Sequence, residues 1–393
     1  MPLTTAIGKA TALDATEAAV QATDQALSVL GRSHIALGII AASNDYPVRQ
    51  VVNGVSGLLS DTPLLGFSTP AQLSSEGLSQ RSIVVALLVG DEIETTADWW
   101  PGFGDDSSRC AQTMVQSIQP NGSNANTLLL IADGLNGDAA PLVESLPAGA
   151  YTLAGCLAGG DISSGRTFQI GGGHYGTGGL AAALLTGKVK VGVGINHGWQ
   201  SVGVYTRITG AKDLWIRSLD GRRASETYAR IFGYPARDWA FPPLNHLVRL
   251  YPLGIEQEPI DIHSQPSYTI RSPIRVEVDG SLRMNTSLPQ GKTAYLLVSS
   301  VENCLASTKL AAQQALESLG EARPVLALVF ADIAWQMMLQ GQPGREIEAI
   351  QGVIGPEIPI IGGYTFGQFG RSQDGHPCLY NQHIQIVIFG DPS

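Results

Sequence analysis

The stretch PLLGFST at residues 63–69, with Gln72 three positions further on, returns near the other end of the chain as PIIGGYT at residues 359–365, with Gln368 at the same distance. Both copies are short apolar runs that stop at a glycine and continue to a threonine and a glutamine. An apolar run closed by glycine is typical of a short buried strand that leads into a turn. The match therefore predicts that one structural unit occurs twice in the chain.

A third, degenerate copy lies between the other two. Residues 153–155 form an apolar run that ends in glycine, and Ala158 and then Asp161 follow at the offsets of the threonine and the glutamine. Duplication of one α/β module would explain all three copies. It predicts that Thr69 and Thr365 occupy the same topological position.

The flanks of the three copies are also alike. Strand-like runs rich in Ile, Leu and Val precede the copies at residues 34–41, 127–132 and 325–331. Apolar runs closed by glycine follow the copies at residues 83–90, 180–187 and 384–390. Helical periodicity appears between strands, for example around residues 312–319. We expect an α/β fold of two domains built from repeated strand-helix-strand-turn-strand modules, with helices packed on mixed sheets. The predicted domains are residues 1–222 and 223–393.

Composition and charge exclude several classes of function. The 393 residues are 44% hydrophobic and 15% charged, with a formal net charge of −10, so a nucleic acid is not expected as a partner. No apolar run reaches the roughly 20 residues that span a bilayer, and acidic residues near the start argue against a signal peptide, so no membrane partner is expected. Four scattered cysteines without a CxxC pair favour free thiols and a cytoplasmic location.

A series of short motifs resembles the FIST family, named for F-box and intracellular signal transduction proteins. In order, the motifs are Thr206-Arg207, Leu219-Asp220-Gly221, Glu226-x-Tyr228, Tyr251-Pro252-Leu253-Gly254, Asp279-Gly280-Ser281-Leu282, the segment from Gly363 to Gln368, and Asn381-Gln382. The resemblance covers nearly the whole chain and implies a cytoplasmic sensory domain for small ligands, with amino acids proposed for the family. The family commonly has Glu where this chain has Gln368; if that carboxylate contacts a cation of the ligand in the family, the resemblance implies a different ligand charge or affinity here.

The first candidate site is the segment Gly363-Tyr364-Thr365 together with Gln368. Glycine allows close approach of the backbone, whose N–H groups bind anions such as a carboxylate, and Thr365 and Gln368 add side-chain hydrogen bonds. The alternative is a turn in which these side chains satisfy nearby backbone groups.

The second candidate site is Asn196-His197-Gly198-Trp199, a polar and aromatic segment at the end of a predicted strand. Here Trp199 is expected to cover an apolar side chain or a cation of the ligand. Asn381 and His383 are expected to face the same cleft if the two domains close over it. The alternative is a conventional turn whose Trp caps the core.

These candidates predict a sensor that binds a small polar metabolite, such as an amino acid, without catalysis. No cofactor or metal is expected: Gly171-x-Gly173-x-x-Gly176 lacks the helix start and the acidic residue of a dinucleotide site, and a Gly-rich hairpin fits it better. A separate signalling protein is a possible partner. One alternative is an enzyme, hydrolase- or transferase-like, with a Thr or Ser nucleophile helped by His197 or His383. Another is an interaction scaffold that binds no ligand.

Overall fold

A computed structural model describes residues 2–30, 34–118, 125–147, 149, 151–257 and 267–392. Within these residues the chain forms three α/β modules of the same strand order and a further antiparallel domain inserted into the third module. The α/β class with mixed sheets agrees with the sequence prediction. None of the helices described is long and apolar enough to cross a membrane.

Module 1 contains the first copy of the repeated sequence. Its elements are β1 (Thr4–Ala10), α1 (Ala15–Leu30), β2 (Ile35–Ser43), α2 (Val48–Ser56), β3 (Leu64–Thr69), β4 (Gln72–Ser74), β5 (Gly77–Ser79) and β6 (Ile83–Val89). Every residue of β3 and of β6 is buried, as expected for strands covered on both faces. Helix α1 lies against the sheet through a stripe of buried alanines, which lets the helix approach closely.

Module 2 repeats this order around the degenerate copy. Its elements are β7 (Ile93–Pro101), α3 (Ser107–Ser117), β8 (Ala125–Asp133), α4 (Ala139–Ser145), β9 (Thr152–Ala158), β10 (Gln169–Gly171), β11 (His174–Gly176) and β12 (Gly179–Gly187). Asp106 caps α3 by accepting the N–H of Arg109 at 2.9 Å. The predicted Gly-rich hairpin at residues 171–176 is confirmed as the turn between β10 and β11.

An inserted domain interrupts module 3 directly after its first strand. That strand is β13 (Lys190–Asn196). The inserted domain contains β14 (Gln200–Lys212), β15 (Trp215–Leu219), β16 (Arg222–Arg223), α5 (Ala224–Phe232), α6 (Leu244–Leu247), β17 (Leu253–Glu256), β18 (Tyr268–Arg271), β19 (Pro273–Val276), β20 (Leu282–Met284) and β21 (Thr293–Val298). Two short 3-10 helices, Asp238–Ala240 and Val248–Leu250, flank α6.

Module 3 then resumes with the helix that follows the first strand in the other modules. Its elements are α7 (Val301–Leu319), β22 (Arg323–Asp332), α8 (Ile333–Met338), α9 (Arg345–Ile354), β23 (Ile360–Thr365), β24 (Gly367–Arg371), β25 (Pro377–Tyr380) and β26 (Ile384–Asp391). The sequence boundary predicted at residue 222 lies in β16, inside the inserted domain. In space, β13 pairs with β26, so module 3 uses residues from both predicted ranges.

The three modules are interlocked through their hairpins. Within each module the strand order is the same, namely β1-β6-β2-β3, β7-β12-β8-β9 and β13-β26-β22-β23. The hairpin that follows the last strand in each of these orders leaves its own sheet and joins the sheet of the preceding module, and the hairpin of module 1 joins that of module 3. Thus β4 pairs with β23, β10 pairs with β3, and β24 pairs with β9. The inner faces of the three sheets enclose one apolar core, and the helices lie outside.

The strand registers confirm the predicted repeat. Thr69 pairs with Ser43, Ala158 with Asp133, and Thr365 with Asp332, always at the end of the one parallel strand pair of the module. Thr69 and Thr365 therefore occupy the same topological position.

Two details of the prediction are wrong. The glycines of the repeat do not form turns, because Gly66 lies within β3 and both Gly362 and its neighbour Gly363 lie within β23. A Cβ on Gly363 would lie 2.6 Å from Oγ1 of Thr69, so close packing requires the glycine. In addition, Asp161 is not the equivalent of the two glutamines. Residues 159–168 lengthen this connection, and Gln169 takes the equivalent position.

Candidate functional site

The two sequence motifs meet at the segment Asn381-Gln382-His383, between β25 and β26. The carbonyl oxygen of Gln382 accepts hydrogen bonds from Nε1 of Trp199 at 2.9 Å and from Nε1 of Trp335 at 3.2 Å. The main-chain N–H of Gln382 donates to Oδ2 of Asp332 at 2.9 Å. Gln382 has a φ of +65°, in the left-handed region that non-glycine residues seldom adopt. Such backbone strain is frequent where a chain presents groups to a ligand.

The side chain of Gln382 connects this segment to the inserted domain. Its Nε2 donates to the carbonyl oxygen of Arg249 at 3.0 Å and to Oγ of Ser272 at 2.7 Å. Arg249 in turn places its guanidinium 5.8 Å from the ring centroid of Phe366, on the segment between β23 and β24. The inserted domain therefore closes over the ends of β22 and β23.

Several amide side chains converge on Phe366. Nδ2 of Asn285 donates to the carbonyl oxygen of Phe366 at 2.6 Å, and Nδ2 of Asn381 approaches the same oxygen at 3.5 Å. Gln368, two residues further on, donates from Nε2 to Oγ1 of Thr365 at 3.0 Å. We call Asn285, Gln368, Asn381 and Gln382 the amide cluster.

Every member of the amide cluster has a buried oxygen without a hydrogen-bond partner in the described part of the chain. These atoms are Oδ1 of Asn285 and of Asn381 and Oε1 of Gln368 and of Gln382, and Nη2 of Arg249 is unpaired beside them. All five residues are at most 5% exposed. A buried unpaired polar group costs about 1–3 kcal/mol, and native proteins contain few of them. These unpaired acceptors set the surroundings of Phe366 and Gln382 apart as a candidate site.

The repeat provides an internal comparison for Gln368. Gln72, Gln169 and Gln368 occupy equivalent positions opposite Gly363, Phe67 and Cys156, and all three are fully buried. In module 1, Oε1 of this glutamine accepts the N–H of Ser82 at 3.0 Å, and in module 2 it accepts the N–H of Gly179 at 3.2 Å. In module 3 it is unpaired. The symmetry is broken where the inserted domain covers the module.

Asp332 carries the most perturbed carboxyl group near the amide cluster. Burial raises its pKa from 3.8 to about 6, although it accepts the N–H groups of Ala334 and Gln382 and lies near Arg249. Burial also lowers the pKa of Arg249 to about 10. The carboxyl group therefore titrates close to physiological pH.

The raised pKa predicts how stability depends on pH. A folded-state pKa above the unfolded value means that this group stabilises the fold fully below pH 3.8, and that the contribution is lost as pH rises through about 6. We expect Asp332→Asn to remove this component, which amounts to at most about 3 kcal/mol. Urea unfolding of both proteins between pH 4 and pH 7 measures it. Identical pH profiles of the free energy of unfolding would contradict the expectation.

The two histidines form a contact of their own. The rings of His197 and His383 meet edge to face with centroids 4.7 Å apart. Nδ1 of His383 donates to the carbonyl oxygen of Asn381 at 2.7 Å, whereas Nδ1 of His197 accepts the N–H of Trp199 at 3.2 Å. Burial lowers the pKa of His197 to about 4 and holds that of His383 well below its usual value. Both rings are therefore neutral at pH 7.

The structure brings some of the predicted site residues together and separates others. Thr365, Gln368 and Asn381 surround Phe366 as described above. Trp199 contacts the neighbouring segment through the carbonyl oxygen of Gln382, and it is 4% exposed and packs with Ile270, Leu297 and Ala334. Its ring therefore fills the interface between module 3 and the inserted domain.

Three predicted residues lie away from the amide cluster. Tyr364 points to the opposite face of β23, where its hydroxyl group donates to the carboxylate of Glu346 in the outer core. Gly363 faces Thr69, and Asn196 uses Oδ1 to accept the N–H of His197 at 2.8 Å. Their predicted contact with a ligand remains a prediction without support from this geometry.

Sequence reasoning did not find Arg249, Asn285 and Asp332. Arg249 and Asn285 come from the inserted domain, in segments without a repeat or a motif that indicates a site. Asp332 could have been found, because it ends β22, which the sequence predicted as a strand, and is equivalent to Asp133. Among the residues described, no group of three His, Cys, Asp or Glu side chains is placed to hold a metal ion.

Known structures of low similarity extend over the whole chain. A cyanuric acid hydrolase from A. caulinodans is 7% identical to this chain, and the alignment covers 100% of each chain with a TM-score of 0.39. A chorismatase is 9% identical to this chain, and the alignment covers 99% of each chain with a TM-score of 0.40. Similarity at this level carries no conclusion about activity. No curated protein matches the chain.

Two family descriptions match the sequence in succession. The FIST N domain matches residues 36–222, and the FIST C domain matches residues 224–371. Together they span most of the chain, from within β2 to the end of β24, and include the inserted domain and two members of the amide cluster, Asn285 and Gln368. The chain therefore belongs to the FIST family.

Proposed function

We propose that this chain is a sensor that binds a small polar metabolite, such as an amino acid, at the amide cluster and does not transform it. FIST domains are sensory domains of signalling proteins. The observation that carries the proposal is the unpaired Oε1 of Gln368. The same atom is hydrogen-bonded in both equivalent glutamines, so the third module has kept the residue and freed its acceptor.

The chemistry of the unpaired atoms suits a zwitterion. An ammonium group donates three hydrogen bonds, and the amide cluster presents four buried oxygens that accept them. Nη2 of Arg249, whose guanidinium lies against the ring of Phe366, is a donor for a carboxylate. Since each of these groups costs free energy while unpaired, a ligand that pairs them gains both affinity and specificity.

The arrangement of the histidines supports binding rather than catalysis. A Ser or Thr nucleophile needs a base within hydrogen-bond reach. Among the described residues, no Ser or Thr hydroxyl group is hydrogen-bonded to His197 or His383, and Oγ1 of Thr365 donates to the carbonyl oxygen of Ala331 at 3.2 Å. Turnover of a bound metabolite would favour the enzyme alternative. Failure of every metabolite to bind would favour the interaction scaffold.

The proposal includes a cytoplasmic location and a separate signalling protein that reads the bound state. All four cysteines are free, and three of them are buried, which suits a reducing compartment. The net charge of −10 supports the absence of a nucleic-acid partner. Fluorescence microscopy of a tagged chain and affinity purification with and without the metabolite test these parts.

Gln368→Ala tests the site, and Gln72→Ala is its matched control. Native mass spectrometry of freshly purified protein identifies a bound small molecule, and calorimetry with amino acids then measures its affinity. We expect Gln368→Ala to weaken binding by roughly five- to a hundredfold, equivalent to about 1–3 kcal/mol, with little change in melting temperature.

The control should behave in the opposite way. Gln72→Ala leaves two buried donors of Ser82 without their acceptor, so we expect a lower melting temperature and unchanged affinity. Equal affinities of wild type and Gln368→Ala would show that Gln368 is structural and would remove the main support for the site.

A further inference from the structure

Two arginines face each other directly across the inserted sheet. Arg275 on β19 and Arg283 on β20 are partners in the antiparallel register. Side chains of opposite residues lie on the same face, with Cβ atoms about 4.5–5.5 Å apart. Like charges in this arrangement destabilise a sheet, and a negative charge nearby would offset their repulsion.

Both arginines point towards module 2. Leu282 and Met284 belong to the core of the inserted domain, so the intervening Arg283 lies on the other face of β20. Arg283 donates to the carbonyl oxygen of Leu135, and Nη1 of Arg275 donates to that of Ile162 at 3.4 Å. The pair therefore lies at the interface between the inserted domain and two loops of module 2.

Arg249 extends this group towards the amide cluster. Its Nε donates to the carbonyl oxygen of Ile274, the residue before Arg275, at 2.9 Å. Its Nη2 and Nε of Arg283 are both buried without an acceptor in the described part of the chain. Arg249 is only 5% exposed, so water does not solvate its guanidinium freely. We call Arg249, Arg275 and Arg283 the arginine group.

One carboxylate near the arginine group pairs with it, and the other carboxylates bind main-chain N–H groups. Glu277 pairs with Nε of Arg275 at 3.0 Å. The other acids accept hydrogen bonds from main-chain N–H groups, namely Asp133, Asp161 and Asp332. Within the described residues, Arg249 and Arg283 form no ion pair with a carboxylate. Two of the three guanidinium groups thus have carboxylates nearby, Asp332 for Arg249 and Glu277 and Asp133 for Arg283, but no direct ion pair with them in the described part of the chain.

We propose that the arginine group binds an oxyanion, a carboxylate or a phosphate group, carried by the ligand of this chain. The inference rests on the proposed function, because Arg249 borders the amide cluster. The proposed function says where the ligand binds, and this inference adds that the ligand carries a negative charge. The planar guanidinium donates two parallel hydrogen bonds to such a group. Bound between Arg275 and Arg283, the oxyanion removes their mutual repulsion.

Thermal unfolding in the presence of simple anions tests this inference on the full chain. Sodium phosphate, sodium acetate and sodium chloride are titrated at equal ionic strength into wild type, Arg275→Gln, Arg283→Gln and Arg230→Gln. Arg230 is an exposed residue of α5 in the same domain and controls for the loss of one positive charge. We expect phosphate or acetate to raise the melting temperature of wild type and Arg230→Gln with saturation, and chloride to have no such effect.

We expect Arg275→Gln and Arg283→Gln to bind the anion with an apparent affinity at least about tenfold lower than that of wild type. Without anion, neither variant should melt below wild type by more than a few degrees, because each also loses a like-charge contact. The stronger of the two anions identifies the group: phosphate indicates a phosphorylated ligand, and acetate a carboxylate. Equal responses to all three salts, or equal responses in all four proteins, would overturn the inference.

Gln368→Ala separates this inference from the proposed function. It should keep the anion response of wild type and lose affinity for the whole metabolite. A metabolite that is weakened by Gln368→Ala and unaffected by Arg275→Gln and Arg283→Gln would overturn the oxyanion inference alone. An anion response together with unaltered metabolite binding in Gln368→Ala would overturn the amide cluster as the site.

Discussion

Gly155→Ala should destabilise the chain by at least about 4 kcal/mol, a large part of the roughly 5–15 kcal/mol by which ordinary proteins are stable. Gly155 lies in β9 opposite Leu130, with a φ of +150° that side chains rarely adopt. A Cβ there would lie 1.8 Å from the carbonyl oxygen of Leu130 and 2.8 Å from its nitrogen. Because these are backbone atoms of the neighbouring buried strand β8, no side-chain rotation can relieve the clash.

Gly352→Ala is the matched control for this prediction. Gly352 lies in the exposed part of α9, and a Cβ there meets no atom within 4 Å. Alanine in a helix interior is more stable than glycine by about 0.5–1 kcal/mol, so this variant should unfold at a higher urea concentration than wild type. Wild-type stability of Gly155→Ala would mean that β8 and β9 are not paired in the register described.

Trp199→Ala should cost about 3–5 kcal/mol of stability, whether or not a ligand is present. From the sequence alone, the ring was expected to cover a ligand. In the structure it fills the space between Ile270 and Leu297 of the inserted domain and Ala334 of module 3. Its Nε1 also donates to the carbonyl oxygen of Gln382. Removing the ring leaves a cavity and takes one of the two indole donors from that oxygen.

Trp199→Phe keeps most of the packing and removes the N–H group. We expect it to lose about 1 kcal/mol, close to the value of one hydrogen bond, and much less than Trp199→Ala. Urea unfolding without ligand compares the two variants. If Trp199→Ala retained the stability of wild type and lost only ligand affinity, the ring would be a ligand contact, as the sequence first suggested.

The repeat made most of the three modules predictable. The apolar runs at residues 34–41, 127–132 and 325–331 are β2, β8 and β22. Each of these strands pairs with β6, β12 or β26, which the sequence also predicted as apolar runs. These strands are buried on both faces, so their sequence pattern is strong. Gln169 was missed because residues 159–168 separate it from Ala158, which hides the offset that links Thr69 to Gln72.

The candidate site was only partly predictable, for a physical reason. Gln368 lies at the start of β24 and Asn381 directly follows β25, so both carry a local sequence signal. Arg249 and Asn285 reach Phe366 only because the inserted domain folds back over module 3, and no local pattern encodes that contact. Their side chains are ordinary surface types in sequence and become unusual only through burial.

The exchange of hairpins between modules sets the order in which the chain can assemble. The hairpin β10–β11 finds β3 among residues already synthesised, and β24–β25 likewise finds β9. The hairpin β4–β5 must wait for β23, which leaves the ribosome much later. Until then a strand edge of module 1 remains open to other chains. Pairing of β4 with β23, which links module 1 to module 3, is therefore a late, long-range step. Prompt folding depends on keeping the open edge from pairing with other chains.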